Sequence, residues 1–403
     1  MERMSLKYGE AAVEIEFDGA RSVQVLKGGS IPDTGDYKEM FLRAIGSECI
    51  GSKALNELIS PSDKVTIIIS DITRFWMRQD KVCGQLVPYL HDILGVDYEN
   101  IAIVTALGTH RKQTEEELKL LVSEEVYNLV QVVNHDCMAH DLVFLGTTSR
   151  GTPVHVNPLV AGRKVILIGG TIHHLMAGYG GGRKSILPGV SGKTTINCNH
   201  IHALDPELPM SSSLIGMGLL EYNPVNEDMN EAVEMAAPVF GINVVMDSQS
   251  GNCRLICGHF AEAWEESCRT VQEMMGVPVE KKADIVVVSC GGYPKDINLY
   301  QGVKALINAA EAVKDGGKII FLAECREGGG PPDYFDWIRP LRAGTLDAEK
   351  AEVFMMTKIP AETLEGMGAR VFSDIDSLLS EVDFTDQDVY VMPYGGYTVP
   401  YLR

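Results

Sequence analysis

Between Gly169 and His202 the chain reads GGTIHHLMAGYGGGRKSILPGVSGKTTINCNHIH, a stretch dense in residue types that can do chemistry. His173, His174 and His200 offer imidazoles for proton transfer or for a metal ion. Gly180, Gly181 and Gly182 allow close backbone approach and leave N–H groups for an anion such as a phosphate. Lys184 follows Arg183 directly, and a neighbouring positive charge lowers a lysine pKa. Lys184 is therefore a candidate nucleophile or covalent tether. A nucleotide loop is the competing reading, because Ser191-Gly192-Lys193-Thr194 looks like the end of a Walker A motif. That motif needs a glycine at 187, where Leu187 stands, and it should follow its strand at once.

Two other places carry polar residues just after an apolar strand-like run. Asp71-Ile-Thr73-Arg74 follows Lys64–Ser70, and its carboxylate, hydroxyl and guanidinium suit a ribose, a phosphate or a bidentate carboxylate. An Asx turn with an Asp–Arg pair is the alternative. Gly108-Thr-His110-Arg111 follows Ile101–Thr105, and Thr114-Glu-Glu-Glu117 opens a helix with acids in its first turn. Strand ends of this kind are where α/β proteins bind ligands. His135, His140 and His155 lack a glycine–lysine context and read as structural.

The segment His174 to Gly189, followed by Asn199-His200, resembles the nickel-dependent lactate racemase family. Asp71-Ile-Thr-Arg74, Gly108-Thr-His110, Gly291-Gly-Tyr-Pro-Lys-Asp296, Tyr300-Gln301-x-x-Lys304 and Pro393-Tyr-Gly-Gly396 extend the resemblance over most of the chain. It implies α/β architecture: two domains with mostly parallel sheets and a cleft between them. It also implies a nickel-pincer nucleotide, a pyridinium-3-thioamide-5-thiocarboxylic acid mononucleotide, covalently linked to Lys184, with His200 as the protein ligand to nickel. Sulfur, carbon and imidazole donors favour a square-planar site. His110 and His174 would be the acid/base pair. Asp71, Thr73, Gly181, Gly182, Arg183, Tyr300 and Gln301 would hold the cofactor, and Arg74 and Lys304 the substrate carboxylate. The implied activity is racemisation of a lactate-like 2-hydroxy acid by hydride removal and return. That route avoids a carbanion that a histidine could not generate near neutral pH. The other readings are a non-catalytic carrier of the same nucleotide and a zinc hydrolase built on His110, His174 and His200. Two departures from the family pattern bear on the substrate. Phe75-Trp76-Met77-Arg78 replaces a run through proline, and could line a wider or more cationic pocket. Phe354 stands near where members often carry a cofactor-side tryptophan.

The elements that must position these residues follow from hydrophobic spacing. Ala12–Phe17 and Ser22–Leu26 alternate as strands, and Tyr37–Leu58 has helical spacing. Asp80–Leu94 and His259–Met275 read as helices, and Val239–Asp247 as a strand turning through 248–251 into Cys253–Ile256. A second α/β pattern starts at Asp284–Ser289, with a helix over Tyr300–Val313, a turn at Lys314–Gly317 and a strand at Lys318–Leu322. A helix is expected near Ala348–Lys358, a rigid turn at Pro331-Pro332, and strands at Arg370–Phe372 and Asp388–Met392. The boundaries that follow are residues 1–276 for an N-terminal domain carrying the glycine loop and histidines, and 283–392 for a smaller doubly wound domain. Residues 393–403 form a terminal segment that could return to the first.

With 403 residues the chain is long enough for two or three full cores. Its 55 acidic against 35 basic residues give a net charge of −20, which argues against nucleic acid and anionic membranes as partners. An anionic substrate then needs local cations, for which Arg74, Arg111, Arg183 and Lys184 are the candidates. The nine cysteines show no C-x-x-C, and fit reduced thiols in a cytoplasm. No signal peptide or membrane-spanning run is expected. The expected partners are a small 2-hydroxy acid and, transiently, the proteins that make the cofactor.

Overall fold

The computed structural model describes residues 3–208, 211–247, 251–330, 351–366 and 368–403. The chain divides into two compact units, one of residues 30–204 and 212–272, the other of residues 1–29, 205–211 and 273–403.

The first unit is built on a six-stranded sheet in the order Cys253–Gly258, Phe240–Met246, Lys164–Gly170, Val65–Ser70, Ile101–Ala106, Gln131–Asn134. All neighbours are parallel except the Cys253–Gly258 edge, which runs antiparallel to Phe240–Met246. Val65-Thr-Ile-Ile-Ile-Ser70 is apolar along nearly its whole length because both of its faces are covered. Ile67 and Ile69 join one core with Met40, Phe41, Leu86 and Leu90, while Ile68 joins another with Leu167, Ile186 and Val190. Parallel strands point their C-terminal ends the same way. The loops after Ser70, Ala106 and Gly170 therefore leave three adjacent strands side by side, about 4.8 Å apart.

The second unit has a fully parallel sheet in the order Ala369–Phe372, Ala351–Met356, Val313–Leu322, Ala283–Ser289, Asp388–Met392, Ser22–Val25. Helix Leu299–Ala312 packs on it. A hairpin, Arg3–Tyr8 with Ala11–Glu16, places Leu6, Tyr8, Ile15 and Phe17 in one of its two cores.

Several boundaries differ from the sequence reading. Residues 1–29 belong with the second unit, because Ser22–Val25 is the edge strand beside Asp388–Met392. The terminal segment stays there too, Val399–Leu402 pairing with Gly276–Val279. The helix expected near Ala348–Lys358 is a strand over Ala351–Met356. Val353 to Met356 form an apolar run between two strand neighbours, and burial there outweighs the helix preference of the flanking Ala, Glu and Lys. Lys314–Gly317 lies within the strand Val313–Leu322, whose pairing shifts register beside Ala283 and whose Gly316 has φ +76°. Phe354 is fully buried beside Phe372 in the core of the second unit. Positions 248–250 and Pro331-Pro332 lie outside the described residues.

Candidate active site

Strand Val65–Ser70 ends at Asp71, which caps the short 3-10 helix Ile72–Met77. Its Oδ1 accepts from Thr73 N at 3.0 Å and Thr73 Oγ1 at 2.5 Å. Arg74 Nη1 bonds Thr73 Oγ1 and lies 3.6 Å from Asp71 Oδ1. The Asx turn with its Asp–Arg pair is thus present. Asp71 Oδ2 faces His110 Nδ1 in a short hydrogen bond, with His110 held at the end of the neighbouring strand Ile101–Ala106. Burial alone would push the Asp71 carboxyl up. The His110 and Arg74 charges and the hydrogen bonds from His110 and Thr73 hold it well below the usual carboxylate range. Gln113 Oε1, accepting from Ile72 N, and Gln79, bonded both ways to Ser70, fix the turn from outside.

The third strand end is Gly170. From it the chain makes a small hairpin, His173 opposite Tyr179 and His174 opposite Gly178, and then the 3-10 turn Gly182–Ser185. The loop folds back closely over the strand at Gly169, where a Cβ would stand 3.0 Å from Gly181 Cα and push the turn outward by a few tenths of an ångström. Gly182, at φ +50°, would drive a Cβ to 2.5 Å from the Trp264 ring. His174 Nδ1 accepts from the backbone N–H of Met176 and Ala177, and its Nε2 lies 3.1 Å from Lys184 Nζ. Gly108 N donates to Gly189 O, tying the His110 loop to the Lys184 loop.

Helix Lys193–His200 starts at Gly192 and ends at His200. His200 is half-buried, with its Nδ1 turned inward and no hydrogen bond of good geometry to it. Its pKa is pushed down to about 3, by loss of solvent first and then by the Lys184 and Lys193 charges. The ring is neutral, as a metal-donating imidazole must be.

Arg183 is placed differently from expectation. Its side chain turns away into the interior, 2% exposed, with the guanidinium 3.7 Å from the centre of the Trp264 ring and one N–H on Ala177 O. Burial lowers its pKa to about 9. The neighbour that meets Lys184 is His174, not Arg183. Arg111 is not an available substrate cation either, being paired to Glu117 through both terminal nitrogens. Arg78 points at Asp80 with two bonds of 2.9 and 2.7 Å on an exposed surface, so the extra pocket cation is an ordinary ion pair.

Tyr300, Gln301 and Lys304 lie in the second unit, at the start of helix Leu299–Ala312. Asn298 caps that helix, and Lys304 Nζ donates to Gln301 Oε1 at 2.8 Å. The sequence reading sets aside His135, His140 and His155 as structural. His135 is buried on Ser191 O, His140 is exposed and His155 lies against Phe144.

Sequence reasoning missed Trp264 and Gln272. Both sit on helix Glu262–Met275, whose pattern signals only an amphipathic helix. Trp264 Nε1 donates to Gly180 O, and Gln272 Oε1 accepts from both His173 Nε2 and Tyr179 OH. Together they clamp the glycine loop and the hairpin. Among the described residues no three His, Cys, Asp or Glu side chains converge, so a three-ligand zinc site on His110, His174 and His200 is absent.

A family model described as the lactate racemase N-terminal domain matches residues 8–211, and one described as the lactate racemase C-terminal domain matches residues 279–365. The chain is 32% identical over 346 residues to the lactate racemase of Thermoanaerobacterium thermosaccharolyticum, covering 84% of this chain and 78% of that one. It is 32% identical over 288 residues to the lactate racemase of Lactiplantibacillus plantarum, covering 71% and 66%. The structure of the T. thermosaccharolyticum apoprotein matches with a TM-score of 0.82 at 26% identity, over 99% of this chain and 100% of that one. A Thermotoga maritima protein shares the fold, with a TM-score of 0.66 at 18% identity over 91% and 98%. The doubly wound architecture and these relatives define an isomerase, specifically a racemase. Within that class, the chain belongs to the lactate racemase family.

Proposed function

We propose that this protein interconverts the enantiomers of a small 2-hydroxy monocarboxylate, lactate first among them. The observation that carries the reading is the pair of imidazoles on adjacent loops of one unit, His110 backed by Asp71 and His174 against Lys184. Lactate has one carboxylate and one hydroxyl, and the arrangement offers a cation, Arg74, beside a base, His110.

The residues fit the nickel-pincer nucleotide that the family resemblance implies. Lys184 lies on the turn Gly182–Ser185 with its amine 3.1 Å from His174 Nε2, and His200 presents a neutral ring whose Nδ1 has no hydrogen bond of good geometry. Lys184 would tether the group and His200 would ligate its nickel. Asp71, Thr73, Gly181 and Gly182 would bind the nucleotide and Arg74 the substrate carboxylate; for Tyr300, Gln301 and Lys304, which lie in the other unit, cofactor and substrate roles rest on the family resemblance alone. Arg183 would act from below, holding the turn through Trp264. When bound, the group supplies a reversible hydride acceptor. The chain's own residues then bind the carboxylate, fix the hydroxyl against an imidazole and exclude competing orientations. Nine free thiols support a reducing compartment such as the cytoplasm.

The test is intact mass and chiral analysis of protein made beside the cofactor-building proteins. An adduct of a few hundred daltons on Lys184, together with racemisation of either lactate enantiomer, is expected. Lys184→Ala should lose both and keep its fold, since the side chain lies on a turn and not in a core. Full racemase activity in Lys184→Ala ends the tether assignment. An adduct without racemisation makes the protein a carrier.

A further inference from the structure

Helix Pro224–Ala236 opens on Asn223 and carries Asp228 on its second turn, and both side chains are completely buried. Asn223 uses its amide in full. Its Oδ1 accepts from Val225 N and Asn226 N, which caps the helix. Its Nδ2 donates to Met176 O and Leu219 O, each at 2.9 Å. Met176 lies at the turn of the hairpin that carries His174, and its own N–H donates to His174 Nδ1 at 3.2 Å. The residue that starts one helix is therefore also a tether for the hairpin.

Asp228 holds a different element. Thr148 Oγ1 donates to its Oδ1 at 2.5 Å, and Thr152 Oγ1 and Asn199 Nδ2 donate to its Oδ2, each at 2.9 Å. Asn199 precedes His200 in helix Lys193–His200, and its Nδ2 also donates to Val225 O at 3.1 Å. This amide can stand only one way round. Turned over, its oxygen would face a carboxylate and a carbonyl, both of which only accept. A buried carboxylate met by neutral donors adds little stability over an apolar side chain of its size. What it does supply is direction, because one arrangement of the donors satisfies it and others do not.

We infer, resting on the placement of His174 and His200 in the proposed site, that the start of helix Pro224–Ala236 is the scaffold that sets these two imidazoles, with Asn223 and Asp228 as positioning residues. Asn223 fixes the hairpin of His174 through Met176. Asp228 fixes the rotation of helix Lys193–His200 through Asn199. The two anchors stand five residues apart, about 7.5 Å along one rigid element. The separation is thus set by a helix and not by the loops that carry the histidines. Neither anchor touches a reacting atom.

The two arms can be read separately and without turnover. Protein carrying ¹⁵N-labelled histidine, made without the cofactor-building proteins, is examined near neutral pH by two-bond ¹H–¹⁵N correlation. His174→Gln and His200→Gln spectra assign the two rings. Asn223→Ser keeps a capping oxygen and loses the donor to Met176 O. It should move the His174 ring signals and leave those of His200 in place. Asn199→Asp sets two carboxylates face to face, and should move the His200 signals and leave those of His174 in place. A new charge beside His200 would also move them by itself, so the double variant Asn199→Asp with Asp228→Asn decides. There the charge stays and the hydrogen bond returns with donor and acceptor exchanged, and the His200 signals should come back to within a linewidth of wild type. If Asn199→Asp does not fold, the uncharged Asn199→Ala takes its place with the same expected shift. Unmoved signals in either single variant, both rings moving alike, or a double variant that stays shifted overturns the inference. Because the signals come from protein without cofactor, failure to racemise lactate would end the racemase reading and leave these results standing.

Discussion

At the scale of single residues, the site is decided by which partner each charge finds. Arg78 illustrates this. Read along the chain, Trp76 and Arg78 could have widened the pocket or added a cation for a second carboxylate. In the fold Arg78 caps its own helix start and spends its guanidinium on Asp80, two residues on. An exposed pair of this kind contributes about 0.2–1 kcal/mol, and it leaves nothing for substrate. A pocket arginine would favour a diacid by about 1.5–3 kcal/mol, tenfold or more. Arg78→Ala should therefore leave the preference for lactate over malate unchanged within about twofold, whereas Arg74→Ala should raise KM for both. A large loss of malate turnover in Arg78→Ala alone would put that side chain back in the pocket. That His110, His174 and Lys184 would fall on loops after strand ends was legible from the apolar runs and the glycine run that precede them. His200, at the end of helix Lys193–His200, was singled out by residue type and by the family resemblance. The direction of Arg183 was not legible. Nothing in Gly-Gly-Arg-Lys tells which of two adjacent cations turns inward, and that is settled by Trp264, eighty-one positions further along.

At the scale of elements, the apolar strands Val65–Ser70, Ile101–Ala106 and Lys164–Gly170 were legible because burial on both faces writes itself as a continuous apolar run. Strand Ala351–Met356 was not, since alanine, glutamate and lysine at its margins favour helix and only its sheet neighbours override them. The start of helix Lys193–His200 shows how a buried histidine outside the proposed site can hold the helix that carries His200. His135 Nε2 donates to Ser191 O at 2.9 Å and Nδ1 accepts from Asn157 at 3.3 Å, so the buried ring is satisfied only when neutral. Burial lowers its pKa below the ordinary 6.5, against the pull of the Ser191 carbonyl and Asp136. A histidine with a lowered folded pKa stabilises fully above its unfolded pKa, and the contribution is lost as pH falls below it, because the unfolded chain binds the proton first. His135→Gln should thus be less stable near pH 7 by about 0.5–1.5 kcal/mol, the worth of a buried hydrogen bond. The gap to wild type should narrow between about pH 6.5 and 5. Urea unfolding followed by the emission of Trp76 and Trp264 measures it. A gap that stays constant across that range would mean the ring binds its proton equally in the folded and unfolded chain, so that burial does not lower its pKa.

At the scale of the whole molecule, the first 29 residues are the part of the design that sequence order concealed. Alternation showed them to be strands, but a strand's partner is a matter of register and position, and Ser22–Val25 pairs with a strand more than 360 residues later. The hairpin before it is equally committed. Leu6, Tyr8, Ile15 and Phe17 are all but fully buried against Ile285, Val287, Ile320, Leu322 and Phe354. Gly9 N donates to the buried Asp296 carboxylate at 2.7 Å, Tyr293 N donates to Gly9 O at 2.8 Å, and Ser289 Oγ donates to Lys7 O at 2.5 Å. At about 1.5–3 kcal/mol for each large apolar side chain, the four together are worth about 6–12 kcal/mol. That matches the entire stability of an ordinary domain, about 5–15 kcal/mol. Removing the hairpin also leaves Asp296, already short of a partner at Oδ1, with a second oxygen less satisfied. Deletion of residues 1–20 should therefore unfold the unit that contains Tyr300, Gln301 and Lys304 while the unit that contains His110, His174 and Lys184 keeps its own cores. Hydrogen exchange read by mass spectrometry should show protection lost over Ala283–Ser289 and Val313–Leu322 and retained over Val65–Ser70 and Lys164–Gly170. If all four strands lose protection together, the two units fold as one, and their separate cores do not give them separate stability.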